Sequence, residues 1–152
     1  LYTGSVSVTE LVLGAIVGFS VAYIFSDLLV QDSSKLSIKR LAVLVAYAVK
    51  YFTVIEAKAH WSVVKAILSP KMGINPSIVR IPYRVRDDYA VVTIANSITN
   101  TPGTVVVDID EEKKNMYVHW IFADVVEDEE ARKEVSEEFE SWARLIFEGG
   151  EK

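Results

Sequence analysis

Cysteine is absent from the 152 residues and histidine appears only twice. A disulfide framework and a thiolate metal site are therefore excluded, and the redox compartment cannot be read. There is no Ser-centred nucleophile elbow and no glycine loop of the kind that cradles phosphate. Residues 76–152 carry nine Lys/Arg against seventeen Asp/Glu, a net charge of −8. Nucleic acid, which needs a basic footprint, is excluded as a partner on that ground. Charge of either sign is almost missing from Leu11 to Val30, where Asp27 stands alone.

What is present is apolar, with 51% of side chains hydrophobic. The stretch "LVLGAIVGFSVAYIFSDLLV", Leu11 to Val30, would make a helix roughly 30 Å long, the thickness of a bilayer core. Gly14, Gly18 and Ala22 recur every fourth position, a spacing that lets another membrane helix approach closely; a lipid-facing anchor with incidental glycines is the plainer alternative. No basic region precedes the stretch and no small-residue cleavage site follows, so it reads as an anchor and not as a signal peptide. The chain opens on Leu1, which leaves open a further hydrophobic segment upstream. Lys35, Lys39 and Arg40 follow the span and point to a cytoplasmic connection by the positive-inside rule.

The second apolar segment, Leu41 to Pro70, predicts a long membrane or interfacial helix. Glu56, Lys58, His60 and Lys65 interrupt it, and a lipid-exposed span would tolerate them poorly. At 100° per residue Lys58 and Lys65 share one face, while Glu56 and His60 share the opposite one. Two readings stand. Lys50, Glu56 and His60 form a membrane ionisable relay for protons, or the helix lies partly outside the bilayer with its charges solvated or paired. A full span would place everything after Pro70 on the side opposite the basic connection, whereas an interfacial helix keeps it on the same side.

Residues 71–77 read as a linker between anchoring helices (1–70) and a small α+β domain (78–152). In "IVRIPYRVR" Val79, Ile81, Tyr83 and Val85 alternate with Arg80, Pro82, Arg84 and Arg86, which predicts a strand with one apolar and one basic face, and Pro82 sends it to a sheet edge or a bulge. Asp87 and Asp88 offer an N-cap for a helix through "YAVVTIANSIT". Thr104 to Asp110 predicts a strand with Val105, Val107 and Ile109 inward, "EEKKN" a hairpin turn, and "MYVHWIF" the returning strand. Glu129 to Glu148 predicts a single helix with Val135, Phe139, Trp142 and Ile146 as its apolar stripe, stopped by Gly149 and Gly150. Its "EDEEARKEVSEEFE" reads as a solvated acidic face. The order β-α-β-β-α predicts one sheet covered on one face by two helices, and the right-handed crossover rule would make the first two strands parallel neighbours.

The segments "LSPKM" with the proline beyond it, "ANSITNTPGTVVVDID" and "MYVHWI" carry a resemblance. Together they are similar to the E subunit of the multisubunit Na+/H+ antiporters of the Mrp type, also called MnhE. Homologous subunits occur in the antiporter-like modules of archaeal membrane-bound hydrogenases and related respiratory complexes. The match rests on Ala95, Asn96, Thr99, Thr101, Pro102, Gly103, Thr104, Asp108, Tyr117 and His119, in order and spacing. Asn100 departs from the family, which often has an apolar residue there, as does the missing hydrophobic segment ahead of the first span.

The resemblance implies a non-catalytic integral membrane subunit of a cation/proton antiporter, or of the antiporter-like module of a respiratory complex. It implies other membrane subunits and the lipid bilayer as partners, no substrate or cofactor of its own, and a cell-membrane location with a cytoplasmic soluble domain. Asn96, Thr99, Thr101, Pro102, Gly103, Thr104, Asp108, Tyr117 and His119 are then the candidate subunit-contact or structural motif. Two alternatives remain. One is a free-standing tethered binding module that offers Arg80, Arg84 and Arg86 to headgroups or an acidic partner. The other is an anchored enzyme using Asp108 and His119 as cross-strand neighbours.

Overall fold

The structure, a computed structural model, describes residues 7–29 and 37–150. Lys35 of the basic connection lies outside the described residues. The chain forms two compact units, Leu1–Leu36 and Ser37–Lys152. The segment 71–77, expected as a linker between domains, thus lies inside the second unit.

In the first unit, α1 runs Val8–Leu29. A capping box starts it. Ser7 Oγ accepts from Glu10 N at 3.2 Å, and Ser7 N donates to Glu10 Oε2 at 3.3 Å. Val8–Ser26 has a mean hydropathy of 2.0 and no buried residue, and is long and apolar enough to cross a membrane. The hydroxyls of Ser20 and Ser26 turn back onto the carbonyls of Ile16 and Tyr23, so neither is left unpaired in an apolar setting.

The second unit opens with α2, Ile38–Lys50, capped by Ser37 Oγ on Arg40 N. A π-helical turn, Tyr51–Ile55, joins it without a break to α3, Glu56–Leu68. Then come β1 (Ser77–Pro82), α4 (Asp88–Asn100), β2 (Thr104–Asp110), β3 (Asn115–Trp120), α5 (Asp128–Val135) and α6 (Glu137–Ala143), with a second π-helical turn over Arg144–Glu148. Asp87 caps α4 by accepting from Tyr89 N, and Gly149 closes the last turn at φ 74°, both as expected.

The sheet order is β1-β3-β2, and both pairings are antiparallel. This corrects the expected crossover: β1 and β2 are not neighbours, because the hairpin strand β3 inserts between them. Pro82 accordingly sits on an edge strand. On β2 the register shifts between Val106 and Asp108. Ahead of that bulge the expected faces are reversed, so Val106 packs against the core while Val105 and Val107 are exposed; beyond it Ile109 is inward as expected. The final helix is likewise two helices, broken at Ser136 (φ −122°, ψ −20°).

The core holds Val79, Ile81, Tyr83 and Val85 from β1 and its extension, Met116 and Val118 from β3, and Ala90, Ile94 and Ile98 from α4. Val135, Phe139 and Ile146 of the C-terminal helices close it, and so do Tyr47 and Tyr51. The last two make the first half of the long helix part of the same core. After α3 the chain returns at once. Asn75 N donates to Ile121 O at 2.9 Å, and Asn75 O accepts from Ala123 N at 3.1 Å.

Candidate functional site

The end of α4 leaves its last carbonyls without helical partners, and the side chains of the following loop take them up. Thr101 Oγ1 donates to Ser97 O at 2.7 Å, and Thr104 Oγ1 donates to Ile98 O at 2.7 Å and to Thr101 O at 3.2 Å. Thr99 Oγ1 accepts from Val106 N at 3.2 Å. Pro102 cannot extend the helix, and Gly103 takes φ 103°. A Cβ on Gly103 would meet Ile121 Cγ1 at 3.3 Å. Its carbonyl accepts from Ile121 N at 3.0 Å, which welds the corner to the end of β3.

The same corner receives the long helix. Tyr51 OH donates to Ser97 O at 3.2 Å, accepts from Asn100 Nδ2 at 3.1 Å and lies 3.3 Å from Thr101 Oγ1. Tyr47 OH makes a short hydrogen bond with Ser97 Oγ. Beside these groups a groove of about 540 Å³ opens between Leu44, Ala48 and Phe52 on one wall and Asn96, Thr99 and Asn100 on the other. Asn96 and Thr99 are exposed along this wall. Thr101, Pro102, Gly103 and Thr104 are half-buried in the corner itself.

Asp108, Tyr117 and His119 stand elsewhere, on the sheet face away from the helices. Asp108 pairs across the strands with Tyr117, and Tyr117 with Arg80; His119 faces Val105 on one side and Ile78 on the other. Asp108 and His119 are therefore not the directly opposed pair considered from the sequence, because the hairpin register sets Asp108 opposite Tyr117, two residues before His119. Asp108 Oδ1 instead accepts from Ile109 N at 2.9 Å. Among the described residues, no three His, Asp or Glu side chains converge on a point suited to a metal ion.

Lys50, Glu56 and His60 are not one chain of contacts. Lys50 Nζ reaches Glu138 at 2.6 Å and lies over the Trp142 ring, so it binds the long helix to α6. His60 Nδ1 lies 3.3 Å from Glu56 Oε2 and 2.8 Å from the Glu56 carbonyl. Glu56 Oε1 is buried with no hydrogen-bond partner among the described residues.

Two of the three arginines of the basic face are paired through their side chains, and Arg86 is held by its backbone. Arg80 pairs with Asp128 at 2.6 Å and Arg84 with Glu129 at 2.7 Å, while Arg86 N donates to Glu148 Oε1 at 2.5 Å. Hydrogen bonding to Asp128 holds the Arg80 pKa above its ordinary value. Hydrogen bonds from Arg132 and then Arg84 hold the Glu129 carboxyl below its own. Nor is the acidic helix face wholly solvated. Arg132 (7% exposed) and Glu140 (3%) are buried, and Arg132 bridges Glu129, Glu137 and Glu140 while Arg144 donates to Glu140 at 2.6 Å.

A family model for the Na+/H+ ion antiporter subunit MNHE matches residues 1–146. The chain belongs to the MNHE family. Among curated relatives, this MNHE chain is 33% identical to the E1 subunit of a Na(+)/H(+) antiporter of Staphylococcus haemolyticus over 84% of its own length and 77% of the relative's. It is 28% identical to the E subunit of a Na(+)/H(+) antiporter of Alkalihalophilus pseudofirmus, over 91% and 84%. Its fold matches a chain of the membrane-bound sulfane sulfur reductase, an archaeal respiratory membrane complex, with a TM-score of 0.77 and 30% identity, covering 95% of this chain and 88% of that one.

Sequence reasoning on this MNHE chain missed Tyr47, Tyr51 and Ser97. A signal was available: the two tyrosines lie four apart on one helix face, and a tyrosine in an apolar stretch brings a hydroxyl that seeks a partner.

Proposed function

We propose that the chain is a non-catalytic membrane subunit of a multisubunit cation/proton antiporter, or of the antiporter-like module of a respiratory complex, that supports assembly and ion translocation. The observation that carries this reading is the match over 95% of the chain to a component of an archaeal respiratory membrane complex. It agrees with the antiporter-subunit names of the curated relatives. The groove wall of Asn96, Thr99 and Asn100, facing Leu44, Ala48 and Phe52, is the surface offered to a neighbouring subunit. Thr101 to Thr104 hold it in place.

A cytoplasmic second unit is supported by two features. Lys39 and Arg40 stand at the start of α2, whose Tyr47 belongs to the core of that unit, and the positive-inside rule favours the cytoplasmic side for such residues.

Native-gel mass spectrometry of the tagged protein, gently extracted from its own membranes, tests the reading. Co-migration with large multi-span subunits is expected, and iron-sulfur or hydrogenase-like companions would identify the respiratory version. A stable solitary monomer or homodimer would overturn it. Asp108→Asn and His119→Ala are expected to leave cation/proton exchange intact, and a total loss in a chain that still assembles would revive the anchored-enzyme alternative.

A further inference from the structure

The helix α3 contributes no buried residue to the unit it extends from. Its exposed stripe holds Val54 (40% exposed) at the π turn, then Trp61 (59%), Val64 (39%) and Leu68 (76%). Lys58 and Lys65 line one edge of that stripe, and Lys65 Nζ sits 5.7 Å from the Trp61 ring centroid. Met72 (59%) and Ile74 (45%) continue the apolar surface past the helix, with Lys71 between Pro70 and Met72.

Two anchors decide where this stripe is. At one end Tyr51 is hydrogen-bonded to Ser97 O, inside the soluble unit. At the other, Asn75 is hydrogen-bonded to Ile121 and Ala123, in the same unit. The helix carries the chain outward by roughly 20 Å. Residues 69–74 must bring it back, and extended chain of that length also reaches roughly 20 Å. A passage across a bilayer core of about 30 Å would require that irregular segment to recross hydrocarbon with its backbone groups unpaired, which lipid does not permit. The helix is thus not a span, although the sequence left that open.

We propose that α3 lies in the plane of the membrane interface and binds anionic lipid headgroups through Lys58 and Lys65, with Trp61, Val64 and Leu68 dipping beneath them. This rests on the reading of the chain as a membrane subunit. Charge selects the occupant. The stripe carries lysines and no carboxylate, in a chain of net charge −5, and it follows an apolar helix long enough to cross a bilayer. A Trp with a Lys over its ring is amphipathic at headgroup depth, where both residues snorkel. In-plane helices of this kind sink their apolar face about 5–10 Å into the headgroup boundary.

The test uses the full chain, whose lack of cysteine allows single spin labels. Val64→Cys, Leu68→Cys and Ser62→Cys are labelled and reconstituted into vesicles of phosphatidylcholine alone or with one quarter phosphatidylglycerol. Depth is read from collision with oxygen and with a water-soluble nickel reagent. Labels at 64 and 68 are expected about 5–10 Å below the phosphates, deeper in the anionic vesicles, while 62 stays accessible to nickel. Lys58→Gln with Lys65→Gln is expected to abolish the difference between the two vesicle types.

Depth that increases steadily along α3 to the bilayer centre would overturn the proposal in favour of a span. Shielding of 64 and 68 from both reagents would overturn it in favour of a protein partner, and equal exposure of all three to nickel would leave no lipid contact. Since co-migration with other subunits is measured separately, a failure here leaves the subunit reading standing.

Discussion

Tyr51 and Ser97 are joined by a hydrogen bond of 3.2 Å from the tyrosine hydroxyl to a carbonyl near the end of α4. They are far apart in sequence, one in an apolar helix and the other beside the loop that carries the family motif. Their contact couples the membrane-proximal helix to the corner. Tyr51→Phe would leave Asn100 Nδ2 without its acceptor inside the unit, at a cost of about 1–2 kcal/mol. Urea unfolding of the detergent-solubilised chain is expected to show that loss, and co-purification of partner subunits is expected to fall with it.

Gly103→Ala is expected to destabilise by about 1–3 kcal/mol, because φ 103° is strained for any residue with a Cβ and Ile121 crowds the space it would fill. Gly18 gives a contrast. Nothing lies within 4 Å of a Cβ built there, so Gly18→Ile should leave the isolated chain folded. If the small-residue face packs on a partner helix, the same change lowers recovery of the complex.

Arg132→Met leaves the buried Glu140 (3% exposed) to Arg144 alone and is expected to cost about 1–3 kcal/mol. Glu137→Gln removes a half-exposed partner of the same arginine and is expected to cost less than about 1 kcal/mol. Comparable losses in the two variants, measured by thermal unfolding, would show the cluster to be more open to water than described.

Acid is expected to weaken the unit in a defined window. Glu129 has a folded pKa lowered from 4.5 by hydrogen bonds from Arg132 and Arg84. Asp110 is lowered from 3.8 by hydrogen bonds from the Lys113 backbone and side chain. A depressed carboxyl contributes its stability in full above the unfolded value and loses it as pH falls through the folded value. The urea midpoint should therefore be flat with respect to these groups above about pH 5 and decline below it. Glu129→Gln should make that decline shallower.

Much of the second unit was legible because alternation and caps are local. Val79, Ile81, Tyr83 and Val85 point inward as period two requires, and Asp87 and Gly149 mark the ends that they announce. What was not legible depended on a single irregular residue or on distant pairing. The bulge between Val106 and Asp108 turned Val105 and Val107 outward while Ile109 stayed inward, and the hairpin register set Asp108 opposite Tyr117 and not His119. Nothing in "TVVVDID" signals it. The insertion of β3 between β1 and β2 is a choice among pairings that the crossover rule does not govern. Arg132 reads as one more surface charge in a charged run, and only the fold of α5 onto α6 reveals three carboxylates around it. At the corner, the threonines were legible as a helix stop, while the tyrosines that reach it from α2 and the π turn were not.

The π turn at Tyr51–Ile55 holds one residue more than a regular helical turn needs. Deleting a single residue there would restore an ordinary turn and keep the downstream faces, because the wide turn spreads its extra residue over the same rotation. Regularising the turn at unchanged length would instead swing Trp61 and both lysines together by about 100°. The wide turn thus sets the clock-hand position of the whole helix beyond it.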